Sequence, residues 1–439
     1  MNAVPFPFYR KLSSDAYWSL AGTLVGFLAN LLAIKIITSL VRTNEYGQAS
    51  LALGVIALLN NLFIGSLMTA QRRIYFDYLE RGMGQWFARV FKGVLGAAGL
   101  IAFFLYLAVA LVYRLQGKPV YLNLLFPVAL ILITQPYMDS LFLYLEAHRK
   151  QRLIAVLTVL QKALYPLCLW FLLASHFSQA KAIIISQAVG AIILLSLFRT
   201  PKEHAESSKY PASHQQELSC LRKSILGFGW ALPLGNLAMW VQTTSDRYLL
   251  EYFSTIDTVG IYVINYSFWS IPYLLLNGWL EVFTRPLLYK KAAEGDWRGL
   301  KYVIVARTLF GVTLSILGTV LLYFVGESIA SAILGTQYWT GRKLMMSIAI
   351  GHCFYVIGYS VLPVFLAGKK TQMILIAASI AAFINLASNF VAIPSYGILG
   401  AALSTLISYV IWAAVLVVGA HLFIEDRISE DAIAGGRLK

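Results

Sequence analysis

The segment "RTPKEHAESSKYPASHQQELSCLRK", residues 199–223, decides how this chain folds. It is the longest polar stretch in 439 residues, with two prolines and charges of both signs. On either side of it the sequence is built from long apolar runs joined by short polar ones. Six runs precede it, at roughly 16–41, 46–70, 88–113, 122–146, 153–175 and 182–198. Six follow, at roughly 224–253, 258–284, 302–325, 342–367, 373–392 and 399–424. Each is long enough, as a helix rising ~1.5 Å per residue, to cross ~30 Å of hydrocarbon. Charged residues are only 13% of the chain, against roughly 25% in a soluble domain. The expected class is therefore an all-α integral membrane protein of about twelve transmembrane helices. The first run is too long for the core of a signal peptide and has no small-residue cleavage site, so it is expected to remain as a span.

The net charge of +15 could suggest nucleic acid, but its distribution argues otherwise. With the N-terminus placed in the cytoplasm, 25 Lys and Arg residues fall in inner segments and six in outer ones. That asymmetry predicts both termini inside and an attraction to anionic lipids, and it removes nucleic acid as a partner. The longest outer loop, roughly 326–341, holds no room for a catalytic domain. The expected organisation is a six-helix bundle over 1–198, a cytoplasmic linker over 199–223, a second six-helix bundle over 224–424 and a cytoplasmic tail over 425–439.

The two halves resemble each other in sequence. A shift of 213 places Leu40 on Phe253, Gly47 on Gly260 and Arg72 on Arg285. A shift of 220 places Ala147 on Ala367, Arg149 on Lys369 and Lys150 on Lys370. Six spans return a chain to its starting side, so the repeats are parallel. Two such bundles around a central cavity favour alternating access over a pore.

Ionisable residues inside the apolar runs cost ~2.5–3.5 kcal/mol each on insertion scales, so each needs a partner or a cavity. Lys35, Asp139, Lys162, Asp246, Arg247, Glu281 and Arg307 fall in this class. Lys35 and Arg247 lie at similar distances from the repeat-matched Leu40 and Phe253, which places a cation at similar depth in each half. Arg72 and Arg285 form a second matched pair at the opposite ends of their spans. Lys35, Arg72, Arg247 and Arg285, with the amide of Asn236, are the candidate substrate contacts, and an anionic ligand suits them. Asp139, Asp246 and Glu281 are candidates for ion coupling or charge balance. Structural uses stay open beside these. Arg247 and Glu251 are spaced for an intrahelical pair, Lys35 can snorkel to the interface, and Arg72 and Arg285 suit topology alone. Asn60, Asn61, Asn265 and Asn277 suit interhelical hydrogen bonds or a sugar-sized cavity, with Tyr262, Tyr266 and Trp269 among the aromatics that could stack there. The three cysteines, Cys168, Cys220 and Cys353, have no metal-ligand or disulfide spacing, and the scattered histidines form no metal motif. No cofactor is expected.

"TTSDRYLLEYFSTIDTVGIYVINYSF" (243–268) resembles the junction of the seventh and eighth helices in polysaccharide exporters, with its buried Asp246-Arg247 followed by Val259 to Tyr262. "IPSYGILGAALSTLISY" (393–409) is similar to the last hairpin of that group, and "LAGKKTQM" (366–373) to its turn between helices ten and eleven. The group is the O-antigen and capsule flippase branch of the multidrug/oligosaccharidyl-lipid/polysaccharide (MOP) superfamily. The resemblance implies a multi-pass protein of the bacterial inner membrane that flips an undecaprenyl-diphosphate-linked oligosaccharide outward, and no enzymatic activity. It also admits a coupling H+ or Na+ and glycan-assembly partners such as a polymerase. The multidrug branch typically carries acidic residues in its first helix, where this chain has Lys35, which favours an anionic substrate. A multidrug or small-metabolite exporter is the alternative within transporters. A membrane polysaccharide polymerase or ligase is the alternative from another class, and it would need a sizeable outer loop that this sequence lacks.

Overall fold

The computed structural model describes residues 6–148, 150–197, 213–229 and 231–436. Among these residues all regular structure is helical. In chain order the helices are α1 (Phe6–Leu40), α2 (Thr43–Leu59), α3 (Ser66–Glu80), α4 (Gly84–Leu115), α5 (Val120–Asn123), α6 (Leu125–Ala147), α7 (Gln151–Ala174) and α8 (Gln179–Leu197). They continue as α9 (His214–Gly229), α10 (Ala231–Phe253), α11 (Ile256–Ala293), α12 (Trp297–Ile333), α13 (Arg342–Ala367), α14 (Thr371–Tyr396) and α15 (Ile398–Gly436). A π-helical turn, Asn60–Gly65, joins α2 to α3 in one continuous rod. Among the described residues ten helices are long and apolar enough to cross a membrane, and Leu24–Leu40 is a shorter apolar helix within α1. α10 has the length of a span, at 23 residues, but carries Asp246, Arg247 and Glu251. Counted with α1 and α10, these rods make the twelve-helix architecture of a multi-pass membrane protein.

The helix ends repeat with the offsets read from sequence. Leu40 and Phe253 end α1 and α10, Thr43 and Ile256 open α2 and α11, and Gly84 and Trp297 open α4 and α12, each pair 213 apart. Ala147 and Ala367 end α6 and α13, while Gln151 and Thr371 open α7 and α14, each pair 220 apart. The drift arises where α12 runs on to Ile333 while its counterpart α4 stops at Leu115. Gly82 and Gly295, also 213 apart, both take left-handed φ angles, 72° and 73°, in the turns that close the matching hairpins. Only a residue without Cβ enters that region without strain.

The chain forms two compact units, Met1–Leu237 and Ala238–Lys439. In the first, α1 packs along α7, α7 and α6 along α8, and α4 along α6. An aromatic core joins Tyr75, Tyr78, Trp86, Phe87 and Phe91 at the α3–α4 hairpin, and Leu221 of α9 packs into it. In the second, α13 and α14 both pack on α15, and α11 and α12 flank α13. Small side chains let these backbones approach, since hydrocarbon offers no hydrophobic gain for pairing helices. Ala377 and Ala381 of α14 are fully buried, and Gly358 of α13 lies so near Trp412 of α15 that a Cβ there would stand 2.5 Å from the ring. Asp296 closes the α11–α12 turn by accepting from Lys291 Nζ at 2.6 Å and from the Gly299 N–H at 2.8 Å, which together hold its carboxyl below the usual carboxylate range.

Several boundaries differ from the sequence reading. The helices expected to end near 70 and 284 continue to Glu80 and Ala293, because polar residues with good helix propensity extend a rod past its apolar part. The second half of the expected linker is helical, as α9. The expected tail over 425–439 begins inside α15, which is continuous to Gly436. The first half of the linker, and the Arg149 matched to Lys369, lie outside the described residues.

Candidate functional site

Charged and polar side chains gather at two places in the second unit. The first lies on the α11–α12 hairpin. Glu281 and Arg285 are one turn apart on α11, and Arg285 Nη2 donates to Glu281 Oε1 at 2.6 Å. Arg307 of α12 donates through Nη1 to Glu281 Oε2 at 3.1 Å and to Thr284 Oγ1 at 2.8 Å. One carboxylate thus holds two guanidinium groups, one on each oxygen, and the trio keeps a formal charge of +1. The Arg307 side chain is 0% exposed, that of Glu281 12% and that of Arg285 46%. Arg307 Nε and Nη2 are buried without a hydrogen-bond partner.

The second place surrounds the quoted Asp246. Its residue is 2% exposed, and Tyr262 of α11 donates its hydroxyl to Oδ2 at 2.5 Å. Oδ1 is buried with no partner. One residue back, Ser245 donates to Val241 O at 2.6 Å and lies 3.5 Å from Asn385 Oδ1 on α14. Asn385 in turn accepts from Asn389 at 2.9 Å and lies 3.5 Å from Thr405 Oγ1 on α15. Deeper along α11, Tyr266 and Tyr409 share a hydroxyl contact of 2.7 Å. Their rings, with those of Tyr273 and Tyr355, enclose the buried His352 at centroid distances of 5.4 to 5.9 Å.

The structure therefore joins Glu281 with Arg285 and adds Arg307 and Thr284, which the sequence reading had not assigned to a site. Arg307 had a signal: Glu281 and Arg307 lie at similar distances on either side of Gly295, so a hairpin turning there sets them at one depth. Tyr262, considered as a stacking face, instead bonds Asp246. Asn265 donates to the Tyr338 carbonyl at 2.7 Å, an internal use for that amide. Arg247 is half-buried.

The other candidates fall in the first unit. Asn236 donates Nδ2 to the Asn61 carbonyl at 2.8 Å, in the π-helical turn. Such turns withdraw a carbonyl from the i→i−4 ladder, leaving it for another donor. Asp139 accepts from Gln135 at 2.8 Å and lines a cavity of about 340 Å³ with Gly65, Thr69 and Glu146. Lys35 is exposed near the end of α1, and its carbonyl accepts the Ser39 hydroxyl at 2.7 Å. Arg72 belongs to α3, and its side chain lies outside the described residues.

This helical order and geometry have solved counterparts. An inward-facing multidrug resistance MATE family transporter of the MOP superfamily matches with a TM-score of 0.68 at 14% identity, over 94% of this chain and 99% of that one. The lipid II flippase MurJ, in an inward closed conformation, gives 0.69 at 17% identity, over 93% and 87%. The fold is that of the MOP superfamily transporters. A further MOP superfamily transporter, from Pyrococcus furiosus and described as having a binding pocket of reverse polarity, gives 0.66 at 13% identity over 95% and 96%. In sequence, the capsular polysaccharide biosynthesis protein CapF of Staphylococcus aureus is 27% identical over 180 residues, 40% of this chain and 42% of CapF. The match spans less than half the length of that relative. No family model matches the chain. Within this fold, the net-positive cluster on the α11–α12 hairpin, with Arg307 buried and Arg285 exposed, has a clear preference for an anion.

Proposed function

We propose that the chain is a transporter that flips an undecaprenyl-diphosphate-linked oligosaccharide, such as an O-antigen, capsule or exopolysaccharide unit, from the inner to the outer leaflet by alternating access. The observation that carries this reading is the meeting of Arg285 and Arg307 on a single carboxylate inside one unit of a transporter fold. A diphosphate cannot cross hydrocarbon bare, and guanidinium groups replace its hydration with charge-assisted, two-pronged hydrogen bonds. Arg247, Lys35 and Arg72 are the further cations of the pathway, with Asn236 as an amide contact. The partial match to CapF and the fold shared with MurJ support a glycan-lipid cargo.

The excess of Lys and Arg on one side favours both termini in the cytoplasm of a bacterial inner membrane, against anionic lipids. An inside-negative potential then assists outward movement of the head group by ~2.3 kcal/mol per charge per 100 mV. Among the carboxylates, Asp246 and Asp139 are the candidates to carry a coupling H+ or Na+, whereas Glu281 balances the arginines. Polymerase and other glycan-assembly proteins are the partners this role would require.

The test is reconstitution of the purified protein in proteoliposomes with undecaprenyl-diphosphate-linked oligosaccharide, scored by exposure of the glycan to an impermeant glycosidase. Transport is expected from the wild type, loss from Arg247→Ala, and partial retention in Arg247→Lys. A second reading, multidrug export, has its own support in the multidrug resistance MATE family transporter that shares the fold. Efflux of a cationic dye with no movement of the glycan lipid, unchanged in Arg247→Ala, would establish that reading instead.

A further inference from the structure

We propose that Arg285 and Arg307 form a binding site for a diphosphate group, and that Glu281 occupies this site as an internal stand-in until the ligand displaces it. The inference rests on the reading of the cargo given above and adds a site and its regulation to it. The geometry is that of an anion already bound. A carboxylate edge and a phosphate edge each present two oxygens to facing guanidinium groups in the same way. Glu281 does so here, giving Oε1 to Arg285 at 2.6 Å and Oε2 to Arg307 at 3.1 Å.

The stand-in leaves the arginines under-satisfied. Arg307 uses only Nη1, on Glu281 and Thr284, while Nε and Nη2 have no acceptor although the side chain is 0% exposed. Buried donors without acceptors are costly, most of all on a charged group. A diphosphate brings more oxygens and more negative charge than one carboxylate, so it suits the pair better than Glu281 does. The graded exposure of the two cations supplies an order of events. Arg285, at 46%, meets the ligand first, and Arg307 is reached as the carboxylate leaves. Thr284 donates its hydroxyl to the Leu280 carbonyl at 2.6 Å, which fixes the oxygen that holds Arg307 in place. Return of Glu281 would then compete with bound ligand, so that the site releases rather than traps its cargo.

The experiment measures binding of undecaprenyl diphosphate and of inorganic pyrophosphate to the purified full-length protein in phosphatidylcholine nanodiscs. Glu281→Gln removes the competing charge and keeps the side-chain shape. It is expected to tighten binding of both probes by about tenfold or more, the factor that corresponds to losing one charge-assisted hydrogen bond. Arg285→Ala is expected to weaken both by at least about tenfold, and Arg285→Lys to weaken them less. Binding in Glu281→Gln that is equal to or weaker than wild type would overturn the stand-in role, with the cargo reading left standing. Undiminished binding in Arg285→Ala would overturn the site. Full displacement of undecaprenyl diphosphate by phosphatidylglycerol would assign the cluster to ordinary leaflet lipid and overturn the diphosphate assignment. A wild type that binds neither probe and extrudes a cationic dye would overturn the cargo reading itself. Should Glu281→Gln fail to fold, the comparison of Arg285→Ala with Arg285→Lys still decides the site.

Discussion

A carboxyl group as deeply buried as that of Asp246 needs donors, and Tyr262 supplies a side-chain donor to Oδ2. A hydrogen bond to a charged or strongly polar acceptor contributes roughly 1.5–3 kcal/mol, and removing the donor leaves the acceptor bare. Tyr262→Phe should therefore lower the thermal unfolding midpoint in detergent, as should Asp246→Asn. The double variant should be less destabilised than the sum of the two, because both single changes remove the same bond. Strict additivity would mean that the contact contributes nothing. The sequence made Asp246 conspicuous, since charge in an apolar run is rare. It did not reveal the partner, because no periodicity links Asp246 to a tyrosine sixteen residues on, across a turn. Glu281 and Arg285 are spaced i, i+4, but the sequence reading did not pair them, and Arg307 required the turn position at Gly295 to be known first.

At the scale of an element, α9 shows why a polar stretch was read as a linker. Its amphipathic signal is short, chiefly Leu218 and Leu221, and Pro201 and Pro211 stand upstream. What holds α9 is tertiary. Leu221 enters the aromatic core at α3 and α4, and Glu217 bonds both Arg81 and the Tyr78 hydroxyl. The Arg81 guanidinium beside Glu217 holds its carboxyl below the usual range. A depressed folded-state value contributes stability above the unfolded pKa of ~4.3, and that contribution is lost as the pH falls through the lower folded value. Amide hydrogen exchange should reflect this. Protection of α9 is expected to be constant from neutral pH to about 5, after correction for intrinsic rates, and to fall below about 4. Arg81→Ala should show the weakened protection already at neutral pH. Equal protection in wild type and Arg81→Ala would assign the docking of α9 to its apolar contacts and the Tyr78 hydroxyl rather than to the ion pair.

For the whole molecule, the repeat was the most informative signal in the sequence. Offsets found from a few identical or similar residues reappear as helix ends, and the left-handed Gly82 and Gly295 mark equivalent turns that residue matching had not used. Topology is the property this repeat and the distribution of Lys and Arg jointly determine, and the native cysteines can test it. Cys220 is exposed on α9, whereas Cys168 and Cys353 are half-buried and lie within the apolar α7 and α13. If the basic side is cytoplasmic, a membrane-impermeant maleimide should leave intact spheroplasts unlabelled at Cys220. It should label that residue after permeabilisation, with Cys220→Ser abolishing the signal. Because α9 docks on the α3–α4 end that carries Arg81, the same result places the whole basic end of the first unit on the inside. Labelling of Cys220 in intact spheroplasts would invert the orientation, and with it the sense in which the membrane potential acts on an anionic cargo.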